Sequence, residues 1–178
     1  MRSIFVLLFI FYAISCFAER LPNELIDYSG FQQLVGEIKD IREERRLTEE
    51  QFLEAMKSGE YIILDARSKK NFDLRHIQEA VNLPFTEFTA ESLSQVIPSK
   101  DTKILIYCNN NFRGSPVSFA SKAATASLNL STQIALAAYG YKHVYELGPL
   151  LEVGKTKIPF TGEEVNVPSS QATSPTSQ

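Results

Sequence analysis

The sequence predicts an α/β fold built from βα units around a mostly parallel sheet. Three observations carry this. Apolar runs of strand length occur at residues 61–64, 80–83, 103–107 and 143–147. Segments of helical periodicity or helix-compatible polarity separate them. Breakers close the runs: Asp65, Pro84 and Gly148-Pro149. Strands that alternate with helices in this way pair in parallel, because each return crossing needs a helix.

The elements follow in order. Ser29-Gly30-Phe31-Gln32 reads as a capping box, with Phe31, Leu34, Val35 and Ile38 behind it at helical spacing. Residues 39–46 are almost all charged and are expected to be exposed. Thr48-Glu49-Glu50-Gln51 is a second capping box. Phe52, Leu53 and Met56 form its apolar stripe, and Gly59 is the stop. Tyr61-Ile62-Ile63-Leu64 is too short for a helix and reads as a buried strand. Residues 68–75 are helix-compatible, Ala80-Val81-Asn82-Leu83 is a strand, and residues 87–96 form a weak helix stopped by Pro98. Lys103-Ile104-Leu105-Ile106-Tyr107 is the strongest strand signal and runs directly into Cys108. Ser131 is placed to cap a helix through Tyr139, ended by Gly140, before a last strand from His143 to Leu147.

Length and composition bound the rest. The chain has 178 residues, 44% of them hydrophobic and 22% charged, enough for one globular domain with tails. A formal net charge of −3 and the absence of a basic cluster argue against nucleic acid and against a polybasic membrane tether. Residues 1–18 read as a signal peptide: Arg2 supplies a short positive region, residues 4–14 an apolar stretch, and Cys16-Phe17-Ala18 a small-residue cleavage site. An uncleaved anchor and lipidation at Cys16 are the alternatives. The protein is therefore expected outside the cytoplasm, periplasmic or extracellular, with no stable membrane span after processing. Residues 19–46 form an extension, partly helical, and residues 47–163 the domain. Residues 164–178 are expected to be a disordered tail, rich in Ser, Thr, Pro and Gln. Two Cys cannot build a disulfide framework, and after cleavage only Cys108 remains.

Cys108-Asn109-Asn110-Asn111-Phe112-Arg113-Gly114 is the constellation that carries chemistry. In open α/β sheets, ligands bind beyond the carboxyl ends of strands. A tight loop there can turn successive amides inward as an anion nest, which lowers a thiol's pKa from about 8.5 and makes it a nucleophile. Three consecutive Asn suit a loop that needs positive φ. Arg113 adds a planar cationic fork for an oxyanion. The local pattern alone favours a buried core cysteine, with Arg113 as a buried partner of a group such as Asp65. Two well-separated His make no metal site. Asn129-Leu130-Ser131 is a glycosylation sequon.

Five stretches, taken in order, resemble the rhodanese homology domain. Leu47-Thr48-Glu49-Glu50-Gln51-Phe52 is similar to its opening helix, and Ile63-Leu64-Asp65-Ala66-Arg67 to its D-x-R strand end. His76-Ile77-Gln78-Glu79-Ala80-Val81-Asn82-Leu83-Pro84 is similar to its H-I-x-G-A-x-N-[LI]-P segment. Ile104-Leu105-Ile106-Tyr107-Cys108 with Arg113 resembles its active strand and loop, and residues 140–148 its final helix-to-strand turn. The resemblance implies a three-layer α/β/α sandwich around a mostly parallel sheet. It also implies sulfurtransferase chemistry, with sulfane sulfur carried as a persulfide on Cys108. Six positions from Cys108 to Arg113 match the sulfur-transferring branch, whereas the related phosphatases use a loop one longer. Glu79 and Asn111 stand where the family often has Gly. Residues 115–130 are longer than in most members and read as an inserted helix or lid.

The first reading is therefore a rhodanese-like sulfurtransferase. Cys108 attacks a thiosulfate-like or persulfide donor, Asn109, Asn110, Asn111, Phe112 and Arg113 bind it, Asp65 and Arg67 support the site, and a thiol accepts the sulfur. Arg67 has Asp65 and Glu79 as candidate partners. No cofactor and no metal are implied. The second reading is a binding or redox-sensing module of the cell envelope that keeps the fold without turnover, its partner an envelope protein.

Overall fold

The computed structural model describes residues 23–166, so the expected signal peptide and most of the tail lie outside the described residues. Helix α1 spans Tyr28–Glu44, strand β1 Arg46–Leu47, helix α2 Glu49–Ser58 and strand β2 Tyr61–Asp65. Helix α3 (Lys69–Leu74), the short strands β3 (His76–Ile77) and β4 (Val81–Asn82), and helix α4 (Ala90–Val96) follow. Strand β5 is Lys103–Tyr107 and β6 Phe112–Arg113; helix α5 is Leu128–Ala138 and strand β7 His143–Leu147. Strands β8 (Leu151–Glu152) and β9 (Phe160–Thr161) and helix α6 (Glu163–Asn166) complete the fold.

Five strands form one sheet in the order β1-β7-β5-β2-β4, all neighbours parallel. Strand β5 is central, in register with β2 (Ile63 opposite Leu105) and with β7 (Ile104 opposite Val144). Its side chains alternate between two cores, so nearly every one must be apolar. Ile104 and Ile106 face Leu93, Ile97, Leu136 and Val144, under α4 and α5. Leu105 and Tyr107 face Phe52 of α2 together with Phe112, Phe119 and Ile158. The result is a mixed α/β fold in three layers around a parallel sheet.

The caps refine the elements. Thr48 accepts from the Gln51 amide at 3.2 Å, and its own amide donates to the Gln51 side chain at 2.9 Å, the expected capping box. The first helix departs from expectation. Its cap is Asp27, whose carboxylate accepts the Gly30 amide at 2.8 Å, and Ser29 lies inside the helix. The charged residues from Lys39, mostly exposed as expected, continue the helix to Glu44, and Arg42 among them pairs with the buried Glu146 of β7 at 2.8 Å. Strand β1 then adds Arg46 and Leu47 to the edge of β7.

Three other expectations change. Helix α5 begins at Leu128 with Ser127 in the cap position, four residues before Ser131. Residues 114–127 form no inserted helix. They run as an irregular strap with one turn of 3-10 helix at Ala124–Ala126, since Ser115, Ser118 and Phe119 are buried and tie its first part to the body. The ordered fold also passes residue 163. Glu164 in α6 accepts from Ser115 and Ser118 at 2.9 and 3.0 Å and pairs with Arg75 at 3.3 Å.

Glu79, at the tip between β3 and β4, has φ 68°, in the left-handed region. A Cβ there costs roughly 1–2 kcal/mol, which explains the Gly that the resembled pattern carries. Glu79→Gly is expected to raise stability by about 0.5–1 kcal/mol, the strain relieved exceeding the entropy added. Urea unfolding of the two proteins checks it; a destabilised variant contradicts the strain.

Candidate active site

Asp65 and Arg67 leave the end of β2 as a buried ion pair, with side chains 0% and 1% exposed. Arg67 Nε donates to Asp65 Oδ1 at 2.9 Å, and Nη2 to Oδ2 at 2.5 Å. Nη1 donates to Ser118 O at 2.9 Å, and Nη2 donates to Arg75 O at 2.8 Å. Its flat face lies 4.5 Å from the Phe119 ring centroid, a cation–π contact. Asp65 also accepts from the Tyr107 hydroxyl, which in turn accepts the Ile77 amide at 3.1 Å. Of the two candidate partners, then, Arg67 takes Asp65, and Glu79 stays exposed. Asp65 anchors this network at the end of β2. Tyr107 is a member that the sequence reading missed, hidden in an otherwise apolar strand.

Burial, and then the Asp65 charge beside it, push the Tyr107 hydroxyl well above its ordinary value of 10.0. A raised folded-state pKa favours the protonated form. Its contribution to stability is complete below the ordinary tyrosine range and is lost as pH rises through the folded-state value. Tyr107→Phe is expected to cost about 1–2 kcal/mol at neutral pH and to flatten the alkaline loss of stability. Chemical unfolding from pH 7 to 11 measures both; parallel curves for the two proteins contradict it.

Cys108 ends β5 on the face of Ile104 and Ile106 and is 1% exposed. Three Asn follow, and none has the positive φ expected of them; the left-handed residue of the loop is Gly114, at φ 89°. The Asn residues act through their side-chain amides instead. Asn111 Oδ1 accepts the Cys108 amide at 2.9 Å and Asn129 Nδ2 at 3.0 Å. Asn111 Nδ2 donates to Leu147 O at 2.6 Å, bracing the loop to the end of β7. Asn110 clips the strap with two bonds: its Nδ2 donates to Lys122 O at 3.0 Å, and its Oδ1 accepts the Lys122 amide at 2.8 Å. Asn109 is buried with Nδ2 unpartnered.

The backbone of the loop is not the expected nest. The Asn111 amide closes on Cys108 O at 3.1 Å and the Phe112 amide on Asn109 O, as a turn of 3-10 helix. Only the amides of Asn109 and Asn110, at the start of that turn, are left without a carbonyl of the turn to meet. Phe112 enters the core against Phe119 and Phe160, at 4.7 and 5.1 Å between centroids. Arg113 pairs with Glu152 at the surface, its side chain 62% exposed. The structure therefore brings Cys108, Asn109 and Asn111 together and turns Phe112 and Arg113 away from them, because β6 is drawn into a parallel ladder with β8. Arg113 is no partner of Asp65 either.

Two further residues complete the site. Ser127 Oγ lies 3.4 Å from Cys108 Sγ, and Asn129 joins the loop to the first turn of α5. The signal for Ser127 was a serine directly before a helix, assigned instead to Ser131. Asn129 is 2% exposed, so the sequon it heads is closed to a glycan in the folded protein. Among the described residues no cluster of His, Cys, Asp or Glu suits a metal ion, and no helix is long and apolar enough to cross a membrane.

The geometry now meets its relatives. The family model of the Rhodanese-like domain matches residues 48–148, more than half of the chain, and the chain belongs to that family. The Adenylyltransferase and sulfurtransferase MOCS3 of Drosophila persimilis is 24% identical over 102 residues, covering 52% of this chain and 23% of that protein. The chain thus spans about a quarter of the length of the curated relatives it matches. Among solved structures, the rhodanese-like domain of the Alr3790 protein from Anabaena sp. superposes with a TM-score of 0.52 at 17% identity, covering 75% of this chain and 91% of that one. A rhodanese with anions from E. coli gives a TM-score of 0.40 at 23% identity, covering 58% and 99%.

The Asn110 clip predicts an effect on access. Asn110→Ala removes both bonds to Lys122, and residues 120–126 are exposed with little else to hold them. Alkylation of Cys108 in the native protein is expected to speed up severalfold, while two exposed bonds cost at most about 1–2 kcal/mol. Timed labelling with mass detection checks it, and unchanged labelling removes the clip's role.

Proposed function

We propose that the protein is a sulfurtransferase in which Cys108 carries sulfane sulfur as a persulfide. The observation that carries this is the one cysteine thiol among the described residues, at the carboxyl end of the central strand of a rhodanese-like domain, against a hydroxyl and a braced Asn loop. The Cys108 thiolate attacks the outer sulfur of a thiosulfate-like donor. A sulfur–sulfur bond forms to Sγ, and the donor's own sulfur–sulfur bond breaks, its electron pair leaving with the anionic product. An acceptor thiolate then attacks the outer sulfur of the persulfide, and the electron pair of the breaking bond returns to Sγ. The amides of Asn109 and Asn110 and the free Nδ2 of Asn109 are the groups offered to the bound sulfur. Arg113 is not needed as a clamp while Glu152 holds it. The adenylyl-transfer half of the longer relatives has no counterpart in this proposal. Export past the cytoplasmic membrane belongs to the same proposal, and mass analysis of the mature amino terminus tests it separately.

A second reading is favoured by one observation. The thiol is 1% exposed, with Ser127 closed on it, as in a domain that binds or senses without turnover.

Cys108→Ser is expected to abolish sulfur transfer from thiosulfate to a thiol and the mass increase of one sulfur atom on the wild type. Equal turnover by the two proteins rejects the proposal. A wild type that gains no sulfur from thiosulfate or a persulfide donor supports the second reading.

A further inference from the structure

We infer that Ser127 is the hydrogen-bond donor to the Cys108 thiolate, and that it acts in catalysis wherever Cys108 does; its catalytic part rests on the sulfur-transfer reading.

Ser127 Oγ, at 3.4 Å, is the hydrogen-bond partner of Cys108 Sγ among the described residues. A thiolate carries no proton, so in the ionised state the hydroxyl must be the donor. Its position in the chain makes the contact informative. Ser127 is the N-cap residue of α5, where a serine oxygen ordinarily accepts an amide of the first turn. Here the side chain caps nothing, and the hydroxyl is left to the sulfur. The Leu130 amide is met instead by the Ser127 carbonyl, at 3.1 Å. The helix that starts there is 11 residues long, and the positive end of its dipole favours the same anionic state.

The contact is held from both sides. Asn129, in the first turn of α5, donates to Asn111, which accepts the amide of Cys108 itself. Two side chains of this network keep unused polar atoms in the interior: Asn129 Oδ1 and Asn109 Nδ2 are both buried and without partners. Asn109 and Asn129 are 3% and 2% exposed. In the chain, Asn109 directly follows Cys108 and Asn129 lies two residues after Ser127, and an unpaired buried polar atom is rare enough to call for a partner.

No charged group competes for this role. Arg113 on the loop is engaged by Glu152, Arg67 on β2 by Asp65, and Arg42 from α1 by Glu146 on β7. Lys122 of the strap is exposed and held through its backbone. None of them hydrogen-bonds Sγ. The hydroxyl acts twice in a cycle. It stabilises the attacking thiolate, and it meets the same thiolate when the acceptor takes the outer sulfur and the electron pair returns to Sγ. No proton leaves Ser127 in either half.

The test uses the full chain and iodoacetamide, which needs no sulfur donor. The rate of Cys108 alkylation is followed against pH in wild type, Ser127→Ala, Ser127→Gly and Ser127→Thr. A change of access alters the rate at every pH alike, whereas loss of a donor to the thiolate moves the midpoint. The midpoint is expected to rise by about half a unit or more in the Ala and Gly variants and to return in Thr. Gly keeps a favourable cap residue, so it stands in if Ala folds poorly. Sulfur transfer is expected to fall by roughly tenfold in both. Midpoints unmoved in Ala and Gly overturn the inference. A moved midpoint in a protein whose wild type never gains sulfur leaves the thiolate contact standing and removes the sulfur-transfer reading alone.

Discussion

The buried Asp65–Arg67 pair is the constraint on which the active end of the sheet depends. Two charges taken out of water cost several kcal/mol each unless every hydrogen and lone pair is met. Meeting them recruits three separate parts of the chain, Tyr107 from β5, Ser118 O from the strap and Arg75 O from the end of α3, while Asn82 fixes the backbone of the pair by donating to the carbonyls of Asp65 and Arg67. The pair is thus a joint. It fixes where the strap departs and leaves the far half of the strap to weaker ties.

The Cys108 loop follows a related logic with neutral groups. Asn111 sets the thiol's backbone, the end of β7 and the start of α5 in one arrangement through a single side-chain amide. Where a loop of inward amides would offer several donors to an anion, this one leaves only those of Asn109 and Asn110 outside its turn, and a hydroxyl 19 residues on lies against the sulfur.

Much of this was legible in the sequence. Both faces of Lys103–Tyr107 are buried, and that continuous apolar run identified the central strand. Thr48 and Gly59 bounded α2 because capping is local chemistry. The long-range partners were not legible. Nothing near Arg42 announces Glu146, 104 residues away, although most of the charged stretch around it is exposed as expected. Nothing near Arg113 announces the β6–β8 ladder that turns it outward. The Asn run was read through backbone preference, when its use lies in amide groups whose partners come from β7, α5 and the strap.

The recognised family segment starts at residue 48, but the sheet does not. Arg46 and Leu47 cover the outer edge of β7, and α1 supplies the cation for Glu146. A protein trimmed to the family boundary keeps every residue of the site yet bares a strand edge, whose unpaired amides and carbonyls invite pairing with another chain. It also strands a carboxylate in the interior. Residues 28–47 thus act as its hem, and the unit that keeps the sheet's edge covered is larger than the unit that homology outlines.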